Sequence, residues 1–72
     1  MSIEELGRLL KIIRGFFPSF VINEDVAEAW YSVLEDYTYE EVKENVKEYA
    51  KTNRFAPTVS DIIPQTTQGW GQ

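Results

Sequence analysis

Three short amphipathic patterns, each opened by a helix-capping residue and closed by a stop signal, constrain this chain more than any other feature. Ser2 and Glu5 stand at capping-box spacing, in which the serine hydroxyl and the glutamate carboxylate satisfy otherwise unpaired amides. Ile3, Leu6, Leu9, Leu10, Ile13 and Phe17 recur at three- and four-residue spacing, so a helix from Ile3 to Phe16 has one apolar side. Glu4 and Glu5 at its start, with Lys11 and Arg14 near its end, complement the helix dipole. Gly15 and Pro18 are its stop signals. The segment Phe17-Pro18-Ser19-Phe20-Val21-Ile22 reads as an apolar connector laid against the core. A second helix is expected after Asn23, an N-cap followed by Glu24 and Asp25. Val26, Trp30, Val33, Leu34 and Tyr37 fall in one narrow arc, the side expected to face inward. Asp36-Tyr37-Thr38 is the next turn. Thr38 and Glu41 repeat the capping-box spacing and open a third helix whose Tyr39, Val42, Val46, Tyr49 and Ala50 face the interior.

The punctuation that follows is the most individual part of the chain. Asn53 is expected as a left-handed C-cap. Phe55 is expected to anchor a short extended link, and Pro57 excludes Ala56 from the helical region. Thr58 and Asp61, again at box-like spacing, start a last turn or two that ends before Pro64. The expected architecture is therefore all-α: a compact bundle of three main helices plus a short fourth C-terminal helix. It occupies residues 1–64, with Trp30 and Phe55 central to the core. Residues 65–72 lack periodicity and are expected to form a flexible tail.

Composition narrows the chemistry. Among 72 residues there is neither cysteine nor histidine. That removes disulfides, zinc sites and most nucleophile–base pairs, and stability must come from apolar burial. Nearly all the acids fall on outer helix faces or at caps, and no glycine-rich phosphate loop is present. An enzyme, a cofactor and a metal site are not expected. No apolar run approaches the ~20 residues of a membrane span, and the N-terminus has no signal-peptide apolar core. The expected compartment is the cytoplasm.

The net charge of −5 has an uneven origin. Glu24, Asp25, Glu28, Glu35 and Asp36 lie between residues 23 and 36 with no base among them. The stretch before them nets +1 and the stretch after them −1. On a helical wheel Glu24, Glu28 and Glu35 sit opposite the Trp30 side, with Tyr31 on their flank. Such a stripe is either a solvated outer face or a recognition face for a basic partner, since charges at an interface rim steer encounter. Basic residues form two further stripes: Arg8, Lys11 and Arg14 on the first helix, and Lys43, Lys47 and Lys51 on the third. They are the candidates for phosphate contact in a DNA-binding or origin-binding accessory protein. Glu40, Glu44 and Glu48 interleave with the second stripe, and Glu4 and Glu5 stand where they can pair with Arg8. Acidic overall charge disfavours a nucleic-acid backbone, and no helix looks like an exposed polar recognition helix.

Taken in order, four features resemble a known family. A first helix ends in aromatic-Pro, and a second carries Trp30-Tyr31 and ends Leu34-Glu35-Asp36-Tyr37. A third opens Tyr39-Glu40-Glu41-Val42, and the chain closes with Phe55-Ala56-Pro57-Thr58-Val59-Ser60-Asp61-Ile62. Together they resemble the N-terminal helical domain of the phage replicative-helicase loader and inhibitor family, across residues 3 to 63. The resemblance implies a non-catalytic protein that binds a hexameric DnaB-type replicative helicase, restrains its ATPase and unwinding, and helps load it at an origin complex. It also implies that longer members contact the helicase through a C-terminal segment. Here the chain stops at Gln72, and Trp70 is the one residue past Pro64 suited to anchor a partner.

Overall fold

Each helix begins where its cap stands. A computed structural model describes residues 1–64. It contains α1 (Ile3–Phe16), α2 (Glu24–Leu34), α3 (Tyr39–Thr52) and α4 (Val59–Ile62). At α1 the Glu5 amide donates to Ser2 Oγ at 3.1 Å and the Ser2 amide donates to Glu5 Oε1 at 2.9 Å, closing the expected box. At α2 the Val26 amide donates to Asn23 Oδ1 at 2.8 Å. At α3 the Glu41 amide donates to Thr38 Oγ1 at 3.2 Å. Each such cap is worth about 1 kcal/mol, because it satisfies an amide that has no partner inside the helix. At α4 the Thr58 amide and hydroxyl both donate to Asp61 Oδ2, at 2.9 and 3.1 Å, so Asp61 fastens the start of the last helix.

Two of the expected stop signals work differently. Gly15 lies inside α1, and no residue among those described has a positive φ. Proline at 18 cannot extend the helix, and the last helical bond runs from the Phe17 amide to the Ile13 carbonyl at 2.8 Å. Asn53 is extended (φ −129°, ψ 143°) rather than left-handed. Its side-chain amide donates to the Tyr49 carbonyl at 3.0 Å, capping the carbonyl end without a left-handed residue.

The core consists of Leu6, Leu9, Leu10 and Ile13 of α1 with Phe17, Leu34, Val42, Val46 and Ile62. Helix α1 is the shared surface: it contacts α2 and α3, and α4 lies on α3. Three residues expected inside are not there. Phe55 is 76% exposed. The link from α3 to α4 is held instead by buried Pro57 and half-buried Ala56, while the interior position that this part of the chain supplies goes to Ile62. Trp30 is half-buried at the margin, its ring edge-on to Phe20 at 5.4 Å between centroids. Ile3, in the first turn of α1, is 52% exposed. The connector does lie against the core through Phe17, Phe20 and Ile22, leaving Val21 outside.

One contact has no signature in the sequence. The Met1 α-ammonium donates to the carbonyls of Glu35 at 2.8 Å and Tyr37 at 2.7 Å. Helix α2 has no basic residue in its last turn, so this ammonium supplies the cation that the carbonyl end favours and ties the start of the chain to the α2–α3 turn. Nα-acetylation is expected to lower stability by about 1 kcal/mol, or a melting point some ~4–8 °C lower. Differential scanning calorimetry of the acetylated and free chains checks this; equal melting points would mean that water replaces the contact at no cost.

Candidate functional site

The α2 helix is a short amphipathic segment whose inward residues are Ala27, Trp30, Tyr31 and Leu34, all in or against the core. Its acids are thereby turned outward. Glu24, Glu28 and Glu35 are all exposed and share one side of the helix at four- and seven-residue spacing. Tyr31 is half-buried beside them, its ring resting on the core. The stripe therefore lies next to the buried side rather than opposite it, because α2 is seated on Leu34 and Ala27 and not on the Val26–Trp30–Val33 arc. No base among the described residues forms an ion pair with these acids; the ion pairs found are both on α3. The result is a concentrated negative surface with one aromatic edge, suited to steering and orienting a basic partner.

The basic residues are less available as a set. Arg8, Lys11 and Arg14 are exposed on the outer side of α1, and the Glu5 side chain is engaged in the Ser2 cap. On α3, Lys47 Nζ lies 3.3 Å from Glu44, Lys51 Nζ lies 3.0 Å from Glu48, and Lys43 sits over the Tyr39 ring at 5.7 Å. These exposed pairs contribute only tenths of a kcal/mol each, but they weaken the positive field of that stripe. The candidate phosphate contacts Arg8, Lys11, Arg14, Lys43 and Lys47 thus lie on two helices, and one of the two sets is largely neutralised. Trp70 lies outside the described residues.

A shallow groove of about 310 Å³ between α3 and α4 is lined by Asn45, Tyr49, Thr52, Asp61 and their neighbours. It brings together amides, hydroxyls and carboxylates, with no nucleophile beside a base. Among the described residues no group of three or more acids is placed to hold a metal ion, and no helix is long and apolar enough to cross a membrane.

A small helical domain with a one-signed outer helix and an all-apolar interior is the build of a binding protein. The class that these features define is the helicase loader and inhibitor domain. The family model for the N-terminal domain of the phage gene-39 protein matches residues 1–63, and the chain belongs to that family. A solved structure, a truncated variant of the helicase loader/inhibitor protein of the B. subtilis phage SPP1, has the same fold with a TM-score of 0.80. The two are 34% identical, and the similarity covers 89% of this chain and 100% of that one. No curated protein matches the chain.

Sequence reasoning located the acidic stripe but not the apolar residues beside it. Val26, Ala29 and Val33 of α2 remain outside the set that covers the core. The available signal was their three- and four-residue spacing, which also fits an inward face.

Proposed function

We propose that this protein is a phage loader and inhibitor of a hexameric DnaB-type replicative helicase. It binds the ring, restrains ATP hydrolysis and unwinding, and helps transfer the ring to an origin complex, where an origin-binding replication protein is the second partner. The carrying observation is the family match across residues 1–63, supported by a related structure whose protein is described as a helicase loader/inhibitor. The work is done in the cytoplasm of the bacterial host, and no catalytic residue is assigned.

Inhibition by binding has a simple energetic requirement. The loader must bind an inactive ring state better than the active one, and a hundredfold preference corresponds to about 2.7 kcal/mol. The contact surface assigned to this role is the exposed stripe Glu24, Glu28 and Glu35 with Tyr31. Charges there steer association, and the aromatic edge supplies apolar area. Trp70 is assigned as a further anchor.

Co-elution with the host's replicative helicase in the presence of ATP, with ATPase rate read in parallel, tests the proposal. A complex with a lowered ATPase rate is the expected result, and no complex together with an unchanged rate would sink it. Replacing Glu24, Glu28 and Glu35 together by lysine is expected to weaken the complex about tenfold, mainly by slowing association. An unchanged association rate would move the contact off this stripe. The alternative, a DNA-binding accessory using Arg8, Lys11, Arg14, Lys43 and Lys47, rests on the unpaired α1 bases. It requires DNA affinity that falls steeply with salt, and a titration without such a slope excludes it.

A further inference from the structure

Helix α2 carries two apolar sides, and the fold uses only one. Ala27, Tyr31 and Leu34 meet the core, with Trp30 at the margin. Val26, Ala29, Trp30 and Val33 recur at i, i+3, i+4 and i+7, which places them along a second side of the same helix. Ala29 is exposed and Val33 is 40% exposed, while Val26 is half-buried yet stands outside the apolar set packed on the core. The seam continues past the N-terminal end of α2. There Phe20 meets Trp30 edge-on at 5.4 Å, and Val21 is 63% exposed. Exposed apolar residues scattered singly are ordinary, but a contiguous stripe at helix-packing spacing is the mark of a contact surface.

Charge decides what covers it. Asp25 stands one turn before Ala29 and Asp36 three residues beyond Val33, so acids edge the seam toward both ends. Glu24, Glu28 and Glu35 occupy the far side, and no base lies between residues 23 and 36. A second copy laid along the seam would bring two such helices together, like charge against like. We infer that the Val26–Ala29–Trp30–Val33 seam receives an amphipathic helix of the partner protein, its apolar stripe flanked by lysine or arginine. This mode lays apolar anchors at i, i+3, i+4 and i+7 into a complementary face, and opposite charges fix its register. The inference rests on the loader role only for who supplies the helix.

The decisive variants are Ala29→Gln with Val33→Gln, both at exposed positions and both compatible with a helix. If the wild-type chain binds the host helicase, the double variant is expected to bind about tenfold more weakly, with its melting point unchanged. Equal binding would overturn the seam and leave the loader role standing. If the wild-type chain does not bind the helicase, the loader role fails and a surrogate decides. The surrogate is a helical peptide with leucines at i, i+3, i+4 and i+7 and lysines on both flanks, titrated into a Trp70→Phe background so that Trp30 is the sole indole. A shift in Trp30 emission that the glutamine pair abolishes supports the seam, and no shift overturns it. A concentration-dependent dimer in sedimentation, lost in the glutamine pair, would also overturn the assignment, because a second copy would then be the occupant.

Discussion

Leu34→Ala is expected to leave most of the protein unfolded at physiological temperature. Leu34 is fully buried and is the only residue of α2 that is. Truncation to alanine removes its transfer free energy and opens a cavity between α1 and α2, at a cost of about 2–5 kcal/mol. A domain of this size has a total stability of only about 3–10 kcal/mol. Urea denaturation followed by circular dichroism should show a lower midpoint with an unchanged slope. A loss below about 1 kcal/mol would mean that α2 is not seated through Leu34. Phe55→Ala is the contrast: a core phenylalanine would cost about 3–5 kcal/mol, whereas this exposed ring should stay within about 0.5 kcal/mol.

The second large effect concerns α4. Four residues cannot sustain a helix alone, because nucleation is too costly. The segment is held by Ile62 in the core, by Asp61 at Thr58, and by Asn45 Nδ2, which donates to the Ile62 carbonyl at 3.0 Å. Asn45→Asp removes that donor and sets a carboxylate against the carbonyl oxygen, at a cost of about 1–3 kcal/mol. Ile62→Ala is expected to cost about 2–5 kcal/mol. Hydrogen exchange should register the Asn45 change as faster exchange confined to the region around α4, with α1 amides still protected. An equal loss of protection in α1 would show that α4 opens only when the whole domain does. The Ile62 change should reach α1, since Ile62 shares the core with Leu6, Leu9 and Leu10.

The features legible in the sequence were those decided within a few residues. Ser2 with Glu5, Thr38 with Glu41 and Asp61 with Thr58 each join residues three apart, so spacing alone located the starts of α1, α3 and α4. Burial was less legible, because it depends on how a helix is rolled against its neighbours. In α2 two overlapping arcs compete, Val26–Trp30–Val33 and Ala27–Tyr31–Leu34, and periodicity cannot choose between them. Phe55 illustrates the same limit: its hydrophobicity suggested the interior, but Pro57 and Ile62 already fill the space the link crosses. The acidic stripe was legible as charge, since no base intervenes on α2. Its neighbour, the uncovered apolar seam, was not, because a surplus of apolar residues looks the same whether it is buried or left for a partner. The family was legible from the order of the aromatic and proline landmarks, including the Phe55 to Ile62 stretch.

Helix α1 comes first in the chain and supplies four of the nine buried core residues, all on one side. Its partners arrive in turn: α2, then α3, and last Ile62, some 50 residues after Leu10 in the numbering. During synthesis, therefore, the most apolar stripe of the molecule emerges from the ribosome well before the surfaces that will cover it. Closing the core depends on contacts distant in sequence, which form late because the intervening chain must first be ordered. A nascent chain arrested before α4 has emerged presents that stripe without Ile62, and is in the state most open to capture by chaperones.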